Sequence, residues 1–301
     1  MGDSPEDPTN LFVFESAPES TPEFDISDPE VVRMLEESQR SHFWFRARNR
    51  QILHFLRRDG LPPPGRVLEV GCGTGTVLSA LAGAGYQMAG AEMHPLLARR
   101  AASRNPGAEI YSLNVEAPPP QLLHRGPFDA VALFDVVEHL AEPEAFLRAC
   151  AALLRPGGLL VGTVPALQML WSDYDAVGGH RLRYDRRSIR ALFTRAALPV
   201  PRASYFFQFL LPGILARRVF IGQGRVSDEA RKLAAQHLAL DAPGPTLNRA
   251  LAGVCALERL LRRAVPLDRV PGTSLWFSAR MPSPESLRAA SRPREHTGDR
   301  P

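Results

Sequence analysis

The run Glu69-Val70-Gly71-Cys72-Gly73-Thr74-Gly75 sets three glycines at alternate positions directly after the apolar segment Arg66 to Val70. Glycine lets a chain turn sharply and lets a ligand approach the backbone closely. At the carboxyl end of a first strand, that is where open α/β sheets bind ligands. A nicotinamide dinucleotide would call for G-x-G-x-x-G, but Thr76 stands three residues after Gly73 and Gly75 comes one residue early. The spacing favours an adenosyl ligand without a pyrophosphate. Glu92 follows about twenty residues on, at the end of the next apolar segment, where one carboxylate can accept both hydrogen bonds of a ribose diol.

Such residues need strand ends to hold them, and the surrounding pattern supplies them. Strands are predicted at Arg66 to Val70, Tyr86 to Glu92, Glu109 to Asn114, Phe128 to Asp135 and Leu159 to Val164. Helices are predicted at Thr76 to Ala84, from Pro95, and at Pro143 to Leu154. Strands alternating with helices at these spacings predict right-handed βαβ units and a parallel sheet. Ahead of them, Asp28-Pro29 opens a helix running through Glu37, Ser41 to Arg58 reads as a second, and Leu61-Pro62-Pro63-Pro64-Gly65 is a turn. Past Pro165 a helix is predicted at Arg186 to Ala197, an apolar strand or helix through Tyr205 to Leu211, helices at 227–240 and 245–264, and a final strand at Thr273 to Met281. The chain thus divides into an acidic disordered tail (1–28), a helical lead (29–60), a ligand-binding core (61–200), an acceptor-side insertion with the final strand (201–281) and a second disordered tail (282–301).

Composition narrows the function classes. Nine acids precede the first basic residue, Arg33, so a net charge of +4 conceals a far more basic body. Such a body suits nucleic acid, an anionic membrane or an acidic substrate, or simply an arginine-rich solvated surface. Cys72, Cys150 and Cys255 show no C-x-x-C spacing and predict reduced thiols. With no basic-then-apolar leader and no apolar run of membrane-spanning length, a cytoplasmic chain is the expectation.

On the glycine run and Glu92, the chain resembles the class I S-adenosylmethionine-dependent methyltransferases, especially the small-molecule branch that includes the ubiquinone and menaquinone biosynthesis enzymes. The resemblance spans about residues 42 to 200 and implies a Rossmann-like, seven-stranded, mostly parallel sheet whose last strand is antiparallel. It implies S-adenosyl-L-methionine as cofactor, with Glu69, Gly71, Gly73 and Gly75 around its methionine and ribose parts and Glu92 on the ribose. Where the family usually carries an aspartate against the adenine amino group, this chain has Asn114 followed by Val115, and an asparagine carbonyl can accept the same bond. Phe134-Asp135-Val136-Val137-Glu138-His139-Leu140 looks like the family's motif after the fourth strand, with Asp135 facing the ligand's amino or sulfonium side. Leu154-Arg155-Pro156-Gly157-Gly158-Leu159 matches its helix stop and turn.

Transfer from an electrophilic sulfonium requires an acceptor held in line and water kept out. A hydroxyl acceptor also needs a base, for which His139 and His180 are the candidates; Gly178 to Asp185 resembles a family segment bordering the acceptor pocket. Nucleic-acid amino methyltransferases carry Asn or Asp-Pro-Pro-aromatic where this chain has Asp135-Val136-Val137-Glu138, which argues against a nucleic-acid partner. The complete glycine loop argues against a non-catalytic binding module. No ligand spacing calls for a metal. The apolar run Tyr205 to Leu215, followed by Arg217 and Arg218, suits either a buried core or a peripheral membrane surface serving a lipid-like acceptor.

Overall fold

The computed structural model describes residues 8–14, 29–114, 122, 124–221 and 243–284. It opens with β1 (Leu11–Val13), α1 (Pro29–Ser41) and α2 (Phe43–Arg58), then alternates β2 (Arg66–Val70), α3 (Thr76–Ala82), β3 (Gln87–Glu92), α4 (Pro95–Arg104) and β4 (Glu109–Ser112). There follow β5 (Phe128–Phe134), α5 (Pro143–Ala152), β6 (Leu154–Pro165), α6 (Asp173–Val177), α7 (Arg186–Arg195) and β7 (Arg202–Phe206). The last elements are α8 (Leu211–Ile221), α9 (Pro245–Leu261) and β8 (Ser274–Arg280).

The eight strands form one sheet in the order β1-β4-β3-β2-β5-β6-β8-β7. Every pairing is parallel except those of β8, which runs antiparallel to both β6 and β7. The Rossmann-like expectation is met, with one strand more than seven. That strand comes from the segment expected to be disordered: Leu11–Val13 pairs with Ile110 to Ser112, and the Asn10 amide donates to the carbonyls of Ala102, Asn105 and Ala108. Three residues are too few to register as apolar periodicity, and pairing to an existing edge is what holds them. The stretches 227–240 and 285–301 lie outside the described residues.

Period-two alternation decides which side each strand residue serves. On β2, Leu68 and Val70 join the core under α5 and α7, whereas Val67 joins the core under α2, α3 and α4. Glu69, sharing a face with Val67, therefore points toward α2. That helix repeats its buried positions at helical spacing, Phe43, Ala47, Gln51 and Phe55 on one line with Arg48, Ile52 and Leu56 beside it. Ile52, Phe55 and Leu56 are fully buried, each burial stabilising by about 1.5–3 kcal/mol. The helix begins at His42, whose Nδ1 accepts from the Trp44 N–H at 3.1 Å. The helical lead is thus part of the core layer and carries Arg48 to the strand ends.

Several boundaries shift by a few residues, and two of the differences bear on the packing. Pairing resumes at Leu154, opposite Phe128, so Gly157 and Gly158 lie within β6 at an irregularity in its register. A Cβ at Gly158 would stand 2.9 Å from the Arg155 carbonyl oxygen and 3.2 Å from that of Asp129, which favours glycine there. The Tyr205 run divides: Tyr205 and Phe206 end β7, and the helix starts only at Leu211. Tyr205, Phe206, Phe207, Gln208 and Leu210 are buried, whereas Phe209, Pro212, Gly213 and Ile214 are exposed, so the first half of this run serves the core. Among the described residues no helix is long and apolar enough to cross a membrane.

Candidate functional site

Strand order reverses between β2 and β5. From β2 the chain builds outward through β3 and β4, then returns to place β5 on the other side. Doubly wound sheets bind ligands in the crevice outside the carboxyl ends of the strands at such a reversal.

The glycine loop forms one wall. Gly71, Gly73 and Gly75 all have positive φ, at 76°, 55° and 76°, a region other residues adopt only with strain. Each has a different reason to lack a side chain. A Cβ on Gly71 would lie 2.8 Å from Val136 Cγ2, and one on Gly75 would strike the Asn105 amide and Ala101. A Cβ on Gly73 would meet nothing within 4 Å, so that glycine faces open space where a ligand can lie against the backbone. Asn105, which sequence reasoning passed over, donates to the Gly75 carbonyl at 3.1 Å and accepts from Ser79 Oγ at 2.7 Å, tying the loop to α4.

Glu92 braces this loop. Its Oε2 accepts from the Gly73 N–H at 2.8 Å and its Oε1 from the His94 N–H at 3.0 Å. Each carboxylate oxygen still has a lone pair to offer, so the bracing bonds leave room for a diol. Leu113 donates its N–H to the Glu92 carbonyl, bringing Asn114 to the same strand ends, two residues beyond β4. Val115 lies outside the described residues.

Glu69 is buried beneath the loop, and its Oε2 has no hydrogen-bond partner. Burial raises its pKa to about 8, with Arg48 pulling down and Glu92 adding to the rise. An acid held neutral by burial can give up its proton when a cationic group arrives beside it.

Asp135, at the end of β5, adopts φ +57°. An Arg48 guanidinium N–H donates to its Oδ2, Thr163 Oγ1 donates to its Oδ1 at 3.0 Å, and its own N–H donates to the Thr163 carbonyl at 2.9 Å. Arg48 is nearly buried, with its guanidinium 5.0 Å from the Trp44 ring centre. Sequence reasoning missed Arg48, Thr163 and Gln39, whose Oε1 accepts from Thr74 and Thr76. Their partners lie 87, 28 and 35 or more residues away. An arginine inside an apolar helical face was the one local signal available.

The acceptor-side candidates do come together. The rings of His139 and His180 meet edge to face at 4.8 Å, although 41 positions separate them. His139 sits on a short 3-10 turn, Val137–His139, with Nδ1 3.3 Å from the Gly179 carbonyl. Desolvation by the surrounding protein, although part of the residue is exposed, and the neighbouring His180 lower its pKa to about 4, only partly offset by that carbonyl and Asp135. His180 Nδ1 lies 3.0 Å from Asp175 Oδ1, so the carboxylate fixes the proton on Nδ1 and leaves Nε2 as an acceptor. Asp175 also accepts from Arg183 Nε at 2.8 Å and from the Ser172 N–H and hydroxyl. Burial alone would raise the Asp175 pKa; bonds from His180 and Arg183 hold it at about 2.

Glu138 lies below the two rings, fully buried, and neither carboxylate oxygen has a hydrogen-bond partner. Burial, with Asp135 nearby, pushes its pKa well above the carboxylate range. Glu138, His139 and His180 each offer a ligand atom within 4.8 Å of the others, an arrangement able to hold a metal ion that no sequence spacing suggested.

Comparison with known proteins gives these shapes a context. Residues 37–200 match the methyltransferase domain family described as Methyltransf_23. A ubiquinone biosynthesis O-methyltransferase of Caulobacter sp. (strain K31) is 39% identical over 119 residues, covering 37% of this chain and 46% of the relative. Its counterpart in Xanthomonas axonopodis pv. citri is 36% identical over 101 residues, covering 33% and 42%. The chain thus spans less than half the length of the curated relatives it matches. A chain from the complex of the Haloferax volcanii Trm112 methyltransferase activator with a proposed methyltransferase superposes with a TM-score of 0.50 at 14% identity, over 85% of this chain and 95% of that one. That likeness concerns the fold.

Proposed function

Because the chain belongs to this methyltransferase domain family, we propose that it binds S-adenosylmethionine in the crevice between β2 and β5 and transfers its methyl group to a small-molecule acceptor. The observation that carries the cofactor assignment is the cradle itself. Gly73 faces open space, Glu92 braces it from behind, and the free Glu69 oxygen lies buried beneath. Gly73 admits the ligand to backbone contact, Glu92 takes the ribose diol, Asn114 borders the adenine, and Glu69 with Asp135 faces the cationic methionine portion. In the reaction the acceptor's lone pair forms a bond to the methyl carbon as the sulfur–methyl bond breaks in line. S-adenosylhomocysteine is left behind.

The curated relatives are named for O-methylation, which favours an oxygen nucleophile and a base to take its proton. His180 fits that role because Asp175 orients it with Nε2 free to accept. His139 borders the same space. Calorimetry with S-adenosylhomocysteine checks the cofactor site: Gly73→Val should weaken binding by roughly tenfold or more, since a branched residue at positive φ is strained and fills the cradle. Equal affinity in the folded variant would refute the assignment. Methyl transfer from labelled cofactor to fractionated cell extract then identifies the acceptor, and label in nucleic acid would overturn the small-molecule reading.

One observation favours a second reading of the acceptor side. The unpartnered oxygens of buried Glu138, beside two imidazoles, fit a divalent cation that would supply the missing positive charge and lower the pKa of an acceptor hydroxyl. The His180 Nε2 lone pair can either take a proton or bind a cation. Manganese titration, followed by the ion's paramagnetic relaxation of water, separates the two: binding that disappears in Glu138→Gln supports the cation, and no binding to the parent excludes it.

A further inference from the structure

A second set of charges lies on the opposite flank of α2, away from Arg48. Arg46 and Arg50, one helical turn apart, face Arg249 and Arg259 of α9 across a small cavity with about 60 Å³ of space for water. That is room for a few water molecules or one tetrahedral anion. Its floor is apolar, formed by Phe43, Ala47, Ala252, Cys255 and Ala256. No carboxylate lines it, and among the described residues none of the four arginines forms an ion pair.

Arginines also gather at Arg186, Arg187, Arg190 and Arg269, there around a wider and more open recess, while many others are neutralised. Arg48, Arg58, Arg66, Arg104, Arg125, Arg155, Arg183, Arg195, Arg202 and Arg262 all have an acidic partner. Arg46, Arg50 and Arg249 are exposed and Arg259 is half-buried, so water softens their mutual repulsion, but four unneutralised guanidinium groups around one apolar floor still favour an anion there. Arg259 registers the repulsion: burial, then Arg50 and Arg263, lowers its pKa. The cavity is also held in place from one end, because Asn248 accepts from the Phe43 N–H at 2.8 Å and donates to the Ser41 carbonyl at 3.1 Å. The two helices are thereby fixed at the spacing the arginines require.

We propose that the cavity between α2 and α9 is a binding site for a phosphate group, gripped by Arg46, Arg50, Arg249 and Arg259. Guanidinium forks match phosphate oxygens two by two, and planar donors converging from two helices suit a tetrahedral anion better than a single carboxylate. The phosphate could belong to a soluble phosphate ester or to an anionic phospholipid headgroup. The flank of α9 carries exposed Leu257, Leu260 and Leu261, which would suit the apolar part of a lipid. The site is independent of the glycine cradle.

The test uses the full chain and its Arg50→Ala, Arg259→Ala variant. Calorimetry with inorganic pyrophosphate, at ionic strength matched with chloride, is run beside flotation on phosphatidylglycerol and phosphatidylcholine vesicles. The parent should bind pyrophosphate or float selectively with phosphatidylglycerol, and the variant should do so roughly tenfold or more weakly. S-adenosylhomocysteine affinity should be unchanged between them. Pyrophosphate binding alone identifies a soluble phosphate ester; selective flotation alone identifies the headgroup. Should the variant misfold, phenylglyoxal modification of the parent, mapped by peptide mass spectrometry, serves instead: the phosphate ligand should protect Arg46, Arg50, Arg249 and Arg259. A parent that binds neither phosphate source beyond the chloride control, or a folded variant that binds as the parent does, overturns the proposal.

Discussion

The crevice at β2 and β5 and the loop from Ser172 to Arg183 treat buried carboxylates in opposite ways. Asp175 in the loop receives hydrogen bonds from Ser172, His180 and Arg183 and is held acidic. Glu69 in the crevice keeps an oxygen without a partner, and burial drives its pKa upward. The first arrangement is complete within the protein and orients a histidine. The second is incomplete, and its unmet valence is what a ligand would satisfy. Burial of an acid is therefore uninformative without its partners: the same residue class is a fixed support in one place and, on the proposed reading, a binding group in the other.

The largest effect should come from the completed network. Asp175→Ala leaves Arg183 and His180 without their shared acceptor, and we expect it to lower stability at pH 7 by about 3 kcal/mol, measured from urea midpoints. Because the folded pKa of Asp175, about 2, lies below its ordinary 3.8, its contribution is full above that ordinary value and is lost as pH falls through about 2. The gap between parent and variant should therefore narrow on acidification. A gap that widened would mean the carboxylate does not stabilise as its partners imply.

Glu92 stands between the two cases, since it braces Gly73 and His94 yet retains acceptor capacity. Glu92→Ala should weaken S-adenosylhomocysteine binding by about 1.5–3 kcal/mol, the worth of hydrogen bonds to a charged group. Adenosine offers a sharper comparison because it retains the diol but lacks the methionine. If Glu92 holds the ribose, the variant should lose a similar increment for both ligands; loss confined to S-adenosylhomocysteine would assign Glu92 to loop support alone.

The smallest effect concerns Glu69. With its folded pKa raised to about 8, the ligand-free chain binds this proton at pH 7, and stability from the neutral acid is lost as pH rises through that value. A cationic ligand group should reverse the preference and release most of one proton on binding. Calorimetry in two buffers of different ionisation enthalpy would read this as a difference in heat, absent in Glu69→Gln. Equal heats in the parent would mean that Glu69 is already ionised or does not meet the cation.

Much of the donor side was legible because its parts are local. The strand from Arg66 to Val70, the alternate glycines and the Glu92 strand end fall within a single βαβ unit, where spacing along the chain dictates spacing in the fold. Positive φ and close approach admit few residues other than glycine, so the loop announces itself. The helix from Pro143 followed from periodicity, whereas the antiparallel direction of the last strand came only from the family resemblance. The short β1 followed from neither, since three residues carry no period and their partner strand lies about a hundred positions away.

The sequence by itself determined the layered α/β architecture and the glycine cradle, because steric limits on the backbone and the burial of alternating apolar residues act locally. Tertiary structure alone decided that Arg48 meets Asp135, that Glu138 lies without partners beneath His139 and His180, and that four arginines of α2 and α9 share one cavity. Charge pairing depends on distance in space and on the dielectric around the pair, and neither exists until helices and loops far apart in the chain have docked.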